Sequence, residues 1–360
     1  MEHDLTFAEL TSVYEKWLDL HEDPGFLRMM YGSIVANDYD GLPIWLMVLG
    51  PPGSGKSELL MSLSKSKRVH AVSALTPYAL ASGYDSGNSL LFKLKGKILV
   101  VKDLSSVTEG QKEDRNMMFS MLRDAYDGSL VRATGRGEIR FEGKFGMLAA
   151  GTSAVEAGRK MEAMLGERFI YVRLRTRTPD LVTVVMQHTA KKTQMREEIT
   201  KAAAKYLDEV QLLKVRSVPL SVRDAAEKAA RFIAKARTPI QRDAYHKGID
   251  FPVDSGEVPT RLFEQINMLM LGMRTVEAGP DEMRVTIARI TQDNIPIQRA
   301  YVMRAVAKGI VREQLIVEDV KMSQPVVSRI LEDLRFLEFI EKDGWDYKVR
   351  NPMLKEVFCP

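Results

Sequence analysis

Through its first half the chain alternates short, continuously apolar runs with stretches that carry apolar residues at helical spacing. Residues 42–50, LPIWLMVLG, read as a buried strand that runs into a glycine-rich turn and then a helix. RVHAV (68–72) is a second short strand, and KILVVKD (97–103) a third, of the parallel-sheet kind by its unbroken apolar run. EDRNMMFSMLRDAYDG (113–128) has helical spacing, with Met117, Met118, Met121 and Leu122 on one face and Gly128 as its stop. FGMLAAGTS (145–153) is another buried strand, and RFIYVRLR (168–175) follows with alternating character. Strands alternating with helices predict an α/β domain over residues 36–177.

After Pro179 the pattern turns helical. Residues 180–210 and 221–237 are rich in Ala, Lys and Glu, with apolar residues at helical intervals, and Ser221 suits the N-cap of the second helix. Ala229, Phe232 and Ile233 read as core packing, and residues 246–259 as a long loop. A last unit starts near residue 281 with a proline-started helix closed by Gly309. A short helix over 316–322, a third helix with Ser323 as N-cap, and two short strands around Asp343 and Gly344 follow. Helix, short helix, capped helix and hairpin together predict a winged helix-turn-helix. The expected organisation is an acidic helical segment over 1–35, the α/β core over 36–177, a helical region over 178–280 and the winged-helix domain over 281–360.

Composition adds limits. The 360 residues are 45% apolar and 28% charged, ordinary for a soluble globular protein. No apolar run approaches the ~20 residues that span a bilayer. The acidic N-terminus is neither a signal nor a transit peptide. Cys359 is the single cysteine, which excludes an internal disulfide framework and fits a reducing cytoplasm. The histidines show no ligand spacing, so no histidine metal site is expected. The net charge of +4 is uneven: residues 1–25 hold seven acids and one lysine, leaving +10 on the rest. A basic body is compatible with nucleic acid as a partner.

The sharpest chemistry lies in Gly50-Pro51-Pro52-Gly53-Ser54-Gly55-Lys56-Ser57, which matches G-x-x-x-x-G-K-[ST] in full. Glycines let backbone N–H groups curl around phosphates at a helix N-terminus. Lys56 would reach the β- and γ-phosphates and the Ser57 hydroxyl would ligate Mg²⁺, so ATP or a relative is the expected ligand. Downstream, SLVRATGRGEIRFEGK (129–144) reads as a hairpin, with Val131, Ile139 and Phe141 alternating with polar residues around Gly135-Arg136-Gly137. Arg132, Arg136, Arg140 and Lys144 make it basic, either as a solvated surface element or as a finger for a nucleic-acid backbone.

Over roughly residues 40–275 the order of these elements resembles the motor domain of AAA+ ATPases of the minichromosome-maintenance (MCM) branch. The resemblance rests on GPPGSGKSELL, LVVKDLSSV, MLRDAYDGSLVRATGRGEI, FGMLAAGTSA, LGERFIYVRLRTRTPD and VPTRLFEQINMLMLGM. It implies a pre-sensor hairpin, a sensor-1 strand ending in Thr152 and Ser153, an arginine finger at Arg168 and a sensor-2 Arg261. It also implies a helical lid over 178–280 and, because a neighbouring subunit supplies the finger, an oligomer, most simply a hexameric ring. An ion pair within the fold is the plainer role for Arg168. The acidic segment 1–35 stands where MCM proteins carry a large N-terminal DNA-binding domain.

The acidic strand departs from the pattern. Where two carboxylates are needed, the strand over 98–101 delivers Lys102, Asp103 and Leu104. In one register Asp103 holds the metal and Leu104 replaces the base; in the gapless MCM register Lys102 replaces the metal-side acid and Asp103 is the base. Strand alternation lets only one of the two face the nucleotide, and Asp103 is favoured because no cation then sits beside the metal. Glu109 could add a carboxylate from the following loop. The expectation is Mg²⁺-dependent ATP binding with slow hydrolysis unless assembly or DNA completes the site.

In the C-terminal unit, Ser323, Gln324, Ser328, Arg329, Lys342 and Lys348 are the candidate DNA contacts. Glu332, Asp333 and Glu338 leave a protein–protein role open. The expected function is an MCM-like DNA helicase or replication ATPase of a phage or mobile element, with DNA and other element or replication proteins as partners. The rivals are a helicase loader or initiator, and an ATP-switched DNA-binding or transposition regulator. A transcriptional AAA+ activator is disfavoured by the lack of a polymerase-contacting loop motif between 70 and 95.

Overall fold

In a computed structural model, residues 5–18, 23–80, 89–104, 111–134, 137–152, 168–175, 191–214, 217–242, 249–251 and 258–359 are described. They divide into two compact units, 1–219 with 267–283, and 220–266 with 284–360. The first holds a five-stranded parallel sheet and the second is mostly helical. By this division the N-terminal helices fall in the first unit, and residues 178–280 are shared between the two. Among the described residues no helix is long and apolar enough to cross a membrane.

The first unit runs α1 (Phe7–Glu15), α2 (Pro24–Ala36), β1 (Trp45–Leu49), α3 (Lys56–Met61), β2 (Val69–Val72), α4 (Pro77–Leu80), α5 (Leu90–Leu94), β3 (Ile98–Val101) and α6 (Lys112–Tyr126). The hairpin β4 (Ser129–Thr134) and β5 (Gly137–Glu142), then β6 (Gly146–Gly151), β7 (Phe169–Arg173) and α7 (Lys192–Glu209), follow, and residues 267–283 also belong to this unit. The sheet order is β2-β3-β6-β1-β7, with every pairing parallel. Trp45, Met47, Leu49, Leu99, Val101, Met147, Ala149, Phe169 and Tyr171 join a core with α5, α6 and the base of the hairpin. The alternate residues Leu46, Val48, Ile98 and Val100 are buried as well. Burial on both faces is why the strands read as unbroken apolar runs.

The expected hairpin is present, its ladder closing at Thr134 and Gly137, but its inward residue on β4 differs. Leu130 pairs with Phe141 and both are buried, whereas Val131 pairs with Arg140 and is 60% exposed. Side chains alternate across a strand, so burying Leu130 turns Val131 outward.

The second unit contains α8 (Leu220–Arg237), β8 (Gln241–Arg242), β9 (Ile249–Phe251), the start of α9 (Thr260–Thr275) and most of α10 (Pro280–Asp293). It continues with α11 (Ile297–Ala307), α12 (Glu313–Val320), α13 (Gln324–Phe336), β10 (Ile340–Asp343), β11 (Asp346–Val349) and α14 (Met353–Phe358). Two local expectations shift. α8 starts at Leu220, one residue ahead of Ser221. Within the expected loop 246–259, residues Ile249–Phe251 form β9 and pair with β8.

One core cluster joins α8, α11, α12, α13, the hairpin strands and α14 around Phe232, Val302, Leu331 and Phe339. Into it is set a charged group. The buried Asp333 carboxylate accepts from Arg299 at 3.1 Å and from Arg242 at 2.5 Å, and Arg299 also donates to the carbonyl oxygens of Ala236 and Thr238, both at 2.8 Å. Glu332 pairs with Arg242, and Glu338 with Lys235 and Arg350. The three acids of this region are thus matched within the unit.

Removing one partner of a buried pair leaves a charge uncompensated. Asp333→Ala should lower stability by about 3–5 kcal/mol, read as an earlier urea transition of the full chain; a change below about 1 kcal/mol would mean that the triad does not hold this unit together.

Candidate functional site

In a parallel sheet the carboxyl ends of all strands share one edge. Here that edge carries the loop after β1, Ser73 after β2, Lys102 and Asp103 after β3, and Thr152 after β6. Because β6 lies between β1 and β3, its tip residue Thr152 sits between the glycine-rich loop and Asp103. Backbone bonds tie the tips together: the Gly50 amide donates to the Gly151 oxygen at 3.3 Å, the Leu104 amide to Ala150 at 2.9 Å, and the Leu174 amide to Leu49 at 2.8 Å. Ser153 and Glu109 lie outside the described residues.

The loop from Gly50 to Ser57 turns tightly, with the Ser54 amide donating to the Pro51 oxygen at 3.3 Å and Gly53 and Gly55 at φ 80° and 79°. Those left-handed positions let successive N–H groups turn to one side, a concavity suited to an anion. Lys56 opens α3 and is 9% exposed. Its ammonium donates to the carbonyl oxygens of Gly50 and Pro51, both at 2.7 Å, and to the Ser54 hydroxyl at 3.1 Å. Burial pushes Lys56 below the ordinary lysine range, and the negative charge of Asp103 works in the opposite direction. Asp103 is thus the carboxylate whose field reaches the loop lysine.

A cavity of about 400 Å³ lies between α3, the tips of β2 and β3, and α7, lined in part by Ser57, Lys65, Ser73, Lys102 and Arg196. Lys102 shares this cavity with Ser57 while Asp103 acts on Lys56. Lys102 still pairs with β2, its amide donating to the Val72 oxygen at 3.0 Å. α7 supplies two cations that sequence reading missed. Arg196 grips Glu58 of α3 at 2.8 and 2.5 Å, Lys192 lies 3.5 Å from it, and they hold the Glu58 carboxyl below its usual range, Arg196 most of all. No local signal joins residues 138 apart in sequence.

Arg168 precedes β7 and so lies at the opposite, amino edge, one five-residue strand from the loop edge, about 16 Å away. It is buried, donates to Asp127 at 2.5 Å and lies over the Tyr126 ring at 5.5 Å. This is an ion pair within the fold, the plainer of the two expected roles, and from here the side chain is out of reach of the loop of the same chain. Arg261 is exposed on α9 in the second unit.

Of the hairpin cations, Arg140 is exposed and paired with Glu138 at 2.7 Å. Lys144 is half-buried, with its amine on the carbonyl oxygens of Tyr39 and Gly41. Arg132 is on β4, and Arg136 is outside the described residues. In the second unit, Gln324 and Arg329 are exposed on α13, and Lys348 pairs with Asp343. The Ser328 hydroxyl bonds to Glu313 and to the Gln324 oxygen. Ser323 occupies the N-cap of α13, where its carbonyl, not its hydroxyl, accepts from Val326 and Val327. No protein-family model and no curated protein matches the sequence.

Asp127→Asn keeps the shape but removes the charge that faces Arg168. It should cost about 1.5–3 kcal/mol, measured by urea denaturation; an unchanged midpoint would show that Arg168 is held by its other contacts.

Proposed function

We propose that this chain is an ATP-dependent AAA+ ATPase of MCM-like type that acts on DNA as an oligomeric ring. The observation that carries the reading is the phosphate-loop sequence folded at the carboxyl end of a central parallel strand, with Thr152 between it and Asp103. Ligands of open α/β sheets bind at that edge. On this reading a triphosphate takes the place of the loop oxygens around Lys56, and the ammonium moves from the Gly50 and Pro51 carbonyls to the β- and γ-phosphates. Ser57 and Asp103 hold Mg²⁺. One hydroxyl and one carboxylate fit that ion, because magnesium keeps several waters and takes further ligands from phosphates. When bound, it neutralises charge that develops on the transferring phosphoryl group.

Arg168 serves as a finger for a neighbouring subunit, since its own loop is a strand length away, and it must leave Asp127 to do so. Arg132, Arg136 and Arg140 of the hairpin and Gln324, Ser328, Arg329 and Lys348 of the winged helix-turn-helix contact DNA. Lys144 supports the base of the hairpin.

A second reading, an ATP-switched DNA-binding protein with weak hydrolysis, is favoured by two observations. One is the single carboxylate at the end of β3, and the other is the Arg168–Asp127 pair. Turnover measured with and without DNA separates the two, and a strand-displacement assay separates helicase from loader.

Lys56→Ala should weaken Mg-ATP binding by about 10- to 100-fold. Asp103→Asn should retain ATP and lose at least about 100-fold in turnover. Wild-type protein that binds no ATP would overturn the whole reading, and an Arg168→Ala protein with full turnover in the assembled state would overturn the finger.

A further inference from the structure

Trp345 stands at the apex of the β10–β11 hairpin with 86% of its surface exposed, the highest value among the large apolar side chains described. The other two tryptophans, Trp17 and Trp45, are 7% and 0% exposed. The ladder pairs Asp343 with Asp346, so Gly344 and Trp345 are the central residues of a two-residue turn. Gly344 has φ 60° and Trp345 has no positive φ, the pattern of a type II′ turn with glycine first. A small polar residue ordinarily fills such a turn. Here the largest side chain does, carried beyond the last rung of the ladder.

The base of the hairpin is well anchored. Phe339, Ile340 and Tyr347 are buried in the core of the unit. The Tyr347 amide donates to the Val311 oxygen at 2.8 Å, part of an antiparallel bridge between Arg312 and Asp346 at the start of β11. The backbone that carries the indole is therefore set before any partner arrives, which lowers the ordering cost of a contact.

The surroundings select the partner class. A protein interface core needs a contiguous apolar patch sealed from water by its rim. On this hairpin the exposed neighbours Glu341, Lys342, Asp343 and Lys348 are all charged. The two aspartates that flank the turn are matched by cations, Asp343 by Lys348 and Asp346 by Arg312 at 3.6 Å. Lys342 lies over the Tyr347 ring, 5.3 Å from its centre. What the apex presents is one aromatic face among charges that nearly cancel, with lysine and arginine within reach of a backbone phosphate.

We propose that Trp345 stacks on an unpaired base of DNA, at a single-stranded segment or the frayed end of a duplex. The contact rests on the DNA-acting reading above and adds a specific ligand to it. Stacking on an aromatic face needs no particular base, because every base has a π-face. The contact therefore selects for strand state and not for sequence.

Tryptophan fluorescence tests this on the full chain, because only Trp345 among the three tryptophans is exposed to quenching by a stacked base. A single-stranded oligonucleotide should quench the wild-type emission, and Trp345→Ala should remove the quench. The same variant should weaken single-strand binding, read by anisotropy of a labelled strand, by about 5- to 150-fold. Trp345→Phe should keep part of the affinity. Unchanged affinity in Trp345→Ala, or binding of a matched duplex but not of the single strand, would overturn the stacking contact and leave the DNA-acting reading standing. A variant that alters the sedimentation size and not the DNA affinity would assign the indole to a protein contact instead. Wild-type protein that binds neither DNA form would remove the DNA-acting reading itself, and the inference with it.

Discussion

Because all five strands of the central sheet run the same way and both of its faces are buried, the polar groups that the sheet carries collect at its two ends. The carboxyl end gathers the glycine-rich loop, Lys102, Asp103 and Thr152. The amino end gathers an aromatic group in which Trp45 packs on Tyr126, Phe145 and Phe169 at centroid distances of 5.0 to 5.4 Å, with Arg168 and Asp127 beside it. A side chain at one end cannot serve the other within the same subunit. This separation keeps Arg168 a strand length from the loop of its own chain, and it sets the hairpin at the opposite end of the sheet from the loop.

The short helix that carries Lys56 and Ser57 is held from behind by elements far away in sequence. Tyr14 of α1 bonds to Tyr31 of α2 at 2.9 Å and to Ser62, just past α3, at 2.5 Å. Burial raises the Tyr14 hydroxyl to about 12, so this chain of hydroxyls stays neutral and bonded across the physiological range. Glu198 of α7 accepts from Lys16 at 2.5 Å and from the Trp17 indole at 2.8 Å. Exposed ion pairs such as Glu58–Arg196 add little stability each. Their geometric effect is larger, since they fix α7 across the start of α3, and α7 thereby becomes one wall of the cavity that Ser57 lines. The N-terminal helices are thus supports of the loop and not an appendage.

What could be read in the sequence follows from how local each signal is. β1, β3 and β6 announce themselves because burial on both faces forces consecutive apolar residues, and the glycine-rich loop because eight adjacent positions carry its pattern. The helix-and-hairpin order of the C-terminal unit is likewise written in caps and turns. The ion pairs are not: Arg168 meets Asp127 across 41 residues, Arg196 meets Glu58 across 138, and the Lys144 amine reaches Tyr39 across 105. Counting charges along the hairpin therefore overstated what it offers, because Lys144 is turned to the backbone. Counting acids on α13 likewise missed that Glu332 and Asp333 are matched by arginines from other elements. The hairpin's facing was ambiguous for another reason. Leu130 and Val131 are adjacent and both apolar, so only packing on α6 and Phe141 decides which one turns inward.

The end of β3 bears most directly on chemistry. A carboxylate that ligates Mg²⁺ gives its charge to the metal and loses basicity, so it cannot also serve well as the base for water. With Leu104 buried and Lys102 in the cavity beside Ser57, the residues directly after β3 supply one carboxylate for two tasks. On the reading proposed here, Lys102 adds positive charge where a second acid would otherwise stand. An ammonium there attracts triphosphate and repels the metal. Both effects favour holding nucleotide over cleaving it, so rapid hydrolysis requires a group from outside this set. On the same proposed reading, that group is Arg168 of a neighbouring copy, released from Asp127.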